Sequence, residues 1–161
     1  MNKTVLKNKG FTIVELLIVI VIIGILASIT LVAYNGISQR ASFAKEQSDL
    51  KNINNLIQMY YAENGQYPIA PSWVGWGQQT NFIPDIVPKY AAKIPQIPSE
   101  SDVNNSYLYT SNSPDYKLIR FSGAAGVPSA ERTNNQLADP ARPTSSPYGA
   151  WGYWSNGAAG W

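Results

Sequence analysis

The sequence predicts an α+β fold: a long N-terminal α-helix, membrane-spanning in its first half and amphipathic in its second, with a small antiparallel β-sheet packed on its outer half. No residue between positions 16 and 39 is charged, and most are aliphatic. Apolar residues then recur at steps of three and four from Ile37 to Tyr60, which is typical of an amphipathic helix. Farther along, apolar and polar residues alternate on both sides of residues 112–114, which indicates a β-hairpin.

Composition excludes several classes of function. The 161 residues include no cysteine and no histidine, which excludes disulfide bonds, thiol nucleophiles, zinc sites built from these residues and imidazole bases. The 12 Lys and Arg residues nearly balance the 10 Asp and Glu residues, unlike the composition of a nucleic-acid coat protein. The sequence also lacks a phosphate-binding loop, a paired-carboxylate pattern and a nucleophile elbow. We therefore expect no enzymatic activity, no cofactor and no metal site.

The apolar segment is long enough to span a bilayer. At ~1.5 Å per residue, roughly 20 helical residues cross the hydrocarbon core, and residues 16–33 are almost wholly aliphatic. A secretory signal peptide would have a shorter apolar core and a small-residue cleavage site after it. The segment is preceded by three lysines, Lys3, Lys7 and Lys9. By the positive-inside rule these lysines predict a single-pass helix with its N-terminus in the cytoplasm.

Glu15 interrupts an apolar series that begins at Phe11. A carboxylate at the centre of a membrane helix costs about 2.5–3.5 kcal/mol, so an ionisable residue there is expected to be functional and to have a partner. The alternative is that Glu15 lies in the headgroup zone at the start of the span, where a solvated carboxylate has little energetic effect.

Residues 9–20 read KGFTIVELLIVI. This string resembles the class III signal of type IV prepilins and of the pseudopilins of type II secretion and competence systems. The resemblance implies that a membrane-embedded prepilin peptidase cuts after Gly10 and methylates the new amine of Phe11, and that Glu15 serves filament assembly. Residues 60–68, YYAENGQYP, are similar to the segment that ends the long helix of many pilins.

The implied cleavage and the role of Glu15 both have a physical rationale. Cleavage would remove the lysine-bearing leader and leave the apolar helix in the bilayer. The ammonium group of Phe11 in one subunit is then a natural partner for the Glu15 carboxylate of its neighbour, because an unpaired charge in an apolar filament core is costly. We expect this pair to set the axial register between subunits.

The helix is expected to end near Ala62, because Asn64-Gly65 favours a stop and Pro68 blocks continuation. The resulting organisation is a prepilin leader at 1–10, a transmembrane and assembly helix at 11–35, its amphipathic continuation at 36–62 and an extracytoplasmic globular pilin domain at 63–161. In the amphipathic part, the residues expected under the sheet are Leu50, Ile53 and Ile57. The residues expected on the polar face are Lys45, Glu46, Asp49 and Lys51.

The globular part is predicted to begin with a long connecting loop at 69–98, which contains one short helix at 84–92. Two strands follow, at 106–111 and 115–122, and then a loop at 124–147. Five aromatic residues stand near the end: Tyr148, Trp151, Tyr153, Trp154 and Trp161. They offer stacking faces for adhesion to a carbohydrate or a surface, but packing as a terminal strand is the favoured interpretation.

Some major pseudopilins bind calcium, so the resemblance raises that possibility here. Asp102, Asp115 and Asp139 could supply oxygen ligands, but their spacing is not that of an EF-hand. A metal site is therefore not expected.

These observations predict a structural protein that leaves the membrane and polymerises into a thin filament through its apolar helix. A type IV pilus subunit is favoured over a pseudopilin of a type II secretion or competence system. An unprocessed, single-pass surface adhesin is the alternative from another class. The expected partners are further copies of the chain, prepilin peptidase, an inner-membrane assembly platform, the bilayer before assembly and an unidentified surface or DNA ligand. We expect the chain in the cytoplasmic membrane first and in an extracellular filament afterwards, whether it serves motility, adhesion, DNA uptake or secretion.

Overall fold

The computed structural model describes residues 10–77, 79–97, 106–121, 138–142 and 149–161. Its elements in chain order are helix α1 (Ile13–Asn64), strands β1 (Ala70–Val74), β2 (Ser106–Ser111), β3 (Tyr116–Phe121) and β4 (Ala150–Trp154), and a short 3₁₀ helix (Asn156–Ala158). The predicted α+β fold is confirmed. The chain divides into two compact units, Met1–Ser38 and Gln39–Trp161, and α1 contributes to both.

Helix α1 is 52 residues long and ends close to the predicted position. Gly65 follows it with a φ of 70°, a left-handed conformation that favours glycine. Its N–H donates a hydrogen bond to the carbonyl oxygen of Tyr61 at 2.8 Å. The side-chain amide of Asn64 also donates to the carbonyl oxygen of Tyr60 at 2.8 Å. The bond from Gly65 satisfies a carbonyl group that the last turn would otherwise leave unpaired.

In the first unit, α1 presents a continuous apolar surface. Every large apolar side chain from Ile13 to Ile29 exposes at least 50 % of its surface. By length and composition, α1 could cross a membrane. An apolar surface of this extent is not stable in water and needs a lipid or protein cover.

The second unit contains a four-stranded sheet in the order β1-β2-β3-β4, with all neighbours antiparallel. The predicted hairpin is confirmed: β2 pairs with β3 in a register that sets Ser106 opposite Phe121 and Ser111 opposite Tyr116. Strand β4 pairs with β3 and is the terminal strand that the aromatic segment was expected to form. Of that segment, Tyr148 lies outside the described residues.

Two predictions for the loop at 69–98 are wrong. Strand β1 lies within it, and a proline at position 71 is compatible with a strand because β1 is at the edge of the sheet. The short helix expected at 84–92 is also wrong, because the described residues there form turns. Asp85 has a φ of 61°, and the residue before Pro88 is disfavoured in the helical region.

The core of the second unit lies between the outer half of α1 and one face of the sheet. Leu50, Ile53 and Ile57 are fully buried, which confirms the predicted stripe. The same apolar cluster includes side chains from the sheet and from the segment after β1: Ile83, Ile86, Ile94, Tyr107, Tyr109, Leu118 and Trp151. Burial of this stripe holds the sheet on the helix.

Two residues expected on the polar face of α1 are buried instead, Glu46 and Asp49. Arg120 on β3 donates from Nε and Nη2 to the two carboxylate oxygens of Glu46, at 3.2 and 3.3 Å. The hydroxyl of Tyr107 on β2 donates to Asp49 at 3.1 Å. The sheet therefore supplies partners that compensate for removing these carboxylates from water. Conversely, Ile37 belongs to the predicted apolar series but is 67 % exposed.

The outer face of the sheet is also covered. Lys117 on β3 is fully buried there, and its ammonium donates to Asp139 at 2.7 Å and to the main-chain oxygens of Ala159 and Trp161 at 3.1 and 2.9 Å. Burial lowers the pKa of Lys117, and Asp139 opposes that shift. Arg142 donates to Asp139 as well, at 3.0 Å. We call Lys117, Asp139 and Arg142 the buried ionic cluster, although only Lys117 and Asp139 are fully buried and Arg142 is partly exposed; it fastens the segment after β4 to the sheet.

Candidate assembly site

Helix α1 begins inside the motif that suggested processing and assembly. Thr12 precedes the first helical residue, and both its N–H and its hydroxyl donate to Oε2 of Glu15, at 2.8 and 2.7 Å. In return, the N–H of Glu15 donates to Oγ1 of Thr12 at 3.2 Å. This reciprocal arrangement is a capping box, which satisfies main-chain donors that a helix start otherwise leaves unpaired.

The capping box gives Glu15 a role within its own chain. A carboxylate in the first turn is favourable toward the positive end of the helix dipole. The bonds from Thr12 also orient the carboxylate through one of its oxygens, while Oε1 has no hydrogen-bond partner among the described residues. Sequence reasoning missed Thr12, although the pattern Thr-x-x-Glu before an apolar run is a recognised signal for a capping box.

The electrostatics of this segment depend on one group. Glu15 is the only charged residue between Gly10 and Gln39. The surface around it is lined by apolar side chains, including Phe11, Leu16 and Val19. A counter-charge for Glu15 must therefore come from outside this part of the chain or from a new chain terminus.

The other predicted site residues are placed as follows. Gly10 is the first described residue, and a Cβ added to it would meet no atom within 4 Å. The fold of the chain therefore does not itself require glycine at this position. Phe11 is 88 % exposed. The three lysines of the leader, Lys3, Lys7 and Lys9, lie outside the described residues. Cleavage, methylation and intermolecular pairing of Glu15 remain predictions.

The aspartates considered as calcium ligands have separate partners. Asp115 accepts hydrogen bonds from the hydroxyl of Ser155 and from the N–H of Gly157. Asp139 belongs to the buried ionic cluster, and Asp102 lies outside the described residues. The described part of the chain contains no group of three His, Cys, Asp or Glu residues that could hold a metal ion.

Comparison with known proteins supports the assignment suggested by the motif. The family described as "Prokaryotic N-terminal methylation motif" matches residues 6–31. Type II secretion system core protein G of Klebsiella michiganensis is 30 % identical over 131 residues, which cover 78 % of this chain and 89 % of the relative. The Escherichia coli protein of the same name is 40 % identical over 62 residues, 38 % of this chain and 43 % of the relative. A fimbrial protein of Neisseria meningitidis is 33 % identical over 87 residues, 54 % of this chain and 49 % of the relative.

The extent of these matches varies. In the Escherichia coli relative and in four further relatives of the same name, the match spans only 40–45 % of the relative's length. No solved structure matches the chain significantly.

The chain has an apolar N-terminal helix that begins with a methylation motif and continues under a small antiparallel sheet. These features define a class of small α+β proteins with a helix able to cross a membrane. The match across most of the Klebsiella michiganensis protein makes the assignment more specific. The chain belongs to the type IV pilin and pseudopilin family. This confirms the resemblance, and the family is one of structural subunits.

Proposed function

We propose that this protein is a structural subunit of a type IV pilus-like filament, and that it polymerises through α1 after removal of its leader. The observation that carries the proposal is the apolar surface of α1 from Ile13 to Ile29, which no part of the described chain covers. A bilayer would cover this surface before assembly, and the helices of neighbouring copies would cover it in the filament.

The proposed processing creates the charge that the helix lacks. In the unprocessed chain the nitrogen of Phe11 is an amide, so it carries no charge. Hydrolysis after Gly10 by prepilin peptidase converts it into an amine, which remains basic after methylation. The leader, 1–10, takes Lys3, Lys7 and Lys9 with it and leaves the helix at 11–35 as the membrane anchor and assembly segment.

In the proposed filament the Phe11 ammonium of one subunit pairs with Glu15 of the next. The capping box supports this step, because Thr12 already orients the Glu15 carboxylate before a neighbour arrives. A charge left unpaired among apolar helices is strongly unfavourable. Subunits shifted along the filament axis would separate the two charges, so the pair would select one axial register.

In this proposal the chain passes through a series of locations and meets a different partner at each. The chain starts in the cytoplasmic membrane with its N-terminus inside, as the leader lysines favour. It meets the peptidase there and then an inner-membrane assembly platform, and it ends at the cell surface as part of a homo-oligomer. The helix at 36–62 and the globular domain at 63–161 would then face the outside of the filament. No enzymatic role and no cofactor are proposed.

A pseudopilin of a type II secretion system is the second candidate. The name and extent of the Klebsiella michiganensis match favour it. The two candidates share processing and assembly chemistry, and they differ in the length of the filament and in what its growth accomplishes. Deletion of the gene separates them, because loss of secreted enzymes with unchanged surface filaments would indicate the pseudopilin.

Electron microscopy of sheared surface material, labelled with an antibody to residues 63–161, tests the filament proposal. Wild-type cells should carry labelled filaments, and cells with Gly10→Val should lack them because a side chain before the scissile bond blocks cleavage. Gly160→Val is a matched control, since a Cβ added at Gly160 also meets no atom within 4 Å. Labelled protein at the surface of Gly10→Val cells, without filaments in either strain, would instead support the unprocessed adhesin.

A further inference from the structure

A cleft of about 440 Å³ lies at the edge of the sheet, between strand β1, the end of β2 and Trp161. Its volume is in the range of sites that hold small ligands. The residues that line it include Pro71, Ser72, Trp73, Thr110, Asn112 and Trp161. None of the lining side chains is charged, so the wall of the cleft favours a neutral ligand.

The two tryptophans of the cleft come from distant parts of the chain, and Arg142 contacts both of them. The main-chain oxygen of Trp161 accepts hydrogen bonds from Lys117 at 2.9 Å and from Arg142 at 2.8 Å. The Arg142 guanidinium also lies 5.0 Å from the centre of the Trp73 ring. Because Arg142 is itself bonded to the buried Asp139, the Trp73 ring and the backbone of Trp161 are positioned before any ligand binds.

The cleft also has polar groups with unused hydrogen-bonding capacity. Thr110 donates from its hydroxyl to the carbonyl oxygen of Ala70 at 3.0 Å, which leaves the hydroxyl oxygen able to accept. Asn112 accepts through Oδ1 from the N–H of Asp115 at 3.0 Å, which leaves its amide NH₂ able to donate. The Ser72 hydroxyl is exposed and has no hydrogen-bond partner in the described parts of the chain.

We propose that this cleft binds a neutral saccharide. A pyranose ring has an apolar C–H face that stacks on an indole, and hydroxyl groups at its rim that exchange hydrogen bonds with hydroxyl and amide side chains. The proposal goes beyond the filament function and does not depend on it. A proline-rich peptide also stacks on tryptophan, but the hydroxyl and amide groups that line the cleft suit the many hydroxyl groups of a sugar better.

The test uses the full-length chain in micelles of a detergent without a sugar headgroup, such as dodecylphosphocholine, because maltoside detergents would compete. Cellotriose, maltotriose and triacetylchitotriose are the neutral probes, sialyllactose is the charged probe, and a proline-rich decapeptide is the competing class. Saturation-transfer NMR and titration followed by tryptophan fluorescence measure binding. We expect saturable binding of at least one neutral trisaccharide and none of the peptide.

Variants assign the binding to the cleft. Trp161→Ala should weaken binding by roughly tenfold or more, because it removes one stacking face while keeping the main-chain oxygen. Trp76→Ala is the matched control, since Trp76 is 40 % exposed and does not line the cleft. Ser72→Tyr should block binding by filling the cleft. It breaks no hydrogen bond among the described residues, so it decides the question if Trp161→Ala unfolds.

Several results would overturn the proposal. These are the absence of saturable binding by every neutral probe, binding of the peptide alone, equal weakening by Trp161→Ala and Trp76→Ala, and undiminished binding by a folded Ser72→Tyr. Filament yield should not change in any of these variants, which separates saccharide binding from assembly.

Discussion

Ile53 offers the sharpest test of how the globular unit is built. It is fully buried and belongs to the same apolar cluster as Leu50, Ile57 and Leu118. Ile53→Ala removes three carbon atoms, which at about 0.8 kcal/mol for each buried group is a loss of about 2.4 kcal/mol in transfer free energy. A helix on one side and a sheet on the other limit collapse, so a remaining cavity of about 50 Å³ would add roughly 1.2 kcal/mol. We expect the free energy of unfolding to fall by about 3–4 kcal/mol.

The assay is urea unfolding of a fragment that starts at Gln39, where the second compact unit begins. With an m-value of about 1.5 kcal/mol/M, the midpoint should fall by roughly 2 M. Met59→Ala is the control on the same helix, because Met59 is 54 % exposed and should change stability by less than about 0.5 kcal/mol. Equal midpoints for wild type and Ile53→Ala would refute the packing of α1 under the sheet.

Three further predictions concern ionisable groups. Glu15→Gln should leave membrane insertion and cleavage intact but strongly reduce the number of sheared filaments. Thr12→Val removes only one hydrogen bond to the Glu15 carboxylate, so it should reduce the number of filaments less. A normal yield of filaments from Glu15→Gln, at equal levels of mature protein, would contradict the pairing. Asp139→Asn should destabilise the Gln39–Trp161 fragment by about 3–5 kcal/mol in urea unfolding, because it leaves the buried Lys117 ammonium without its carboxylate, and an unchanged midpoint would be inconsistent with the ionic cluster. Burial raises the pKa of Tyr116 to about 12, so its contribution is complete below pH 10 and is lost as pH rises toward 12, by about 2–3 kcal/mol; in urea unfolding at rising pH, Tyr116→Phe should remove this part of the alkaline loss of stability and leave the part due to the buried Tyr107 and Tyr109.

The sequence predicted those elements that depend on interactions between residues close together in the chain. The helix was predictable because its apolar character and three-to-four periodicity persist over many turns. Strand β1 was not, because Pro71 is a strand breaker except at a sheet edge, and only the assembled sheet shows where its edge lies. The burial of Glu46 was equally hidden, since its partner Arg120 is 74 residues away in the chain.

The candidate functional sites also differ in how far the sequence alone predicts them. The residues proposed for processing and assembly form one continuous motif that the sequence displays directly. Thr12 was visible too, in the spacing of a capping box, but its role needed the geometry of the helix start. The cleft between Trp73 and Trp161 has no local signature, because folding alone brings the two ends of the globular unit together.

The identity of the first residue in the assembled subunit tests the central claim most directly. Filaments sheared from cells should be dissociated, and the intact subunit and its N-terminal peptide should be measured by mass spectrometry. The account predicts a chain that begins at Phe11 with a methylated amine and that lacks residues 1–10. A subunit that still begins at Met1 would contradict it.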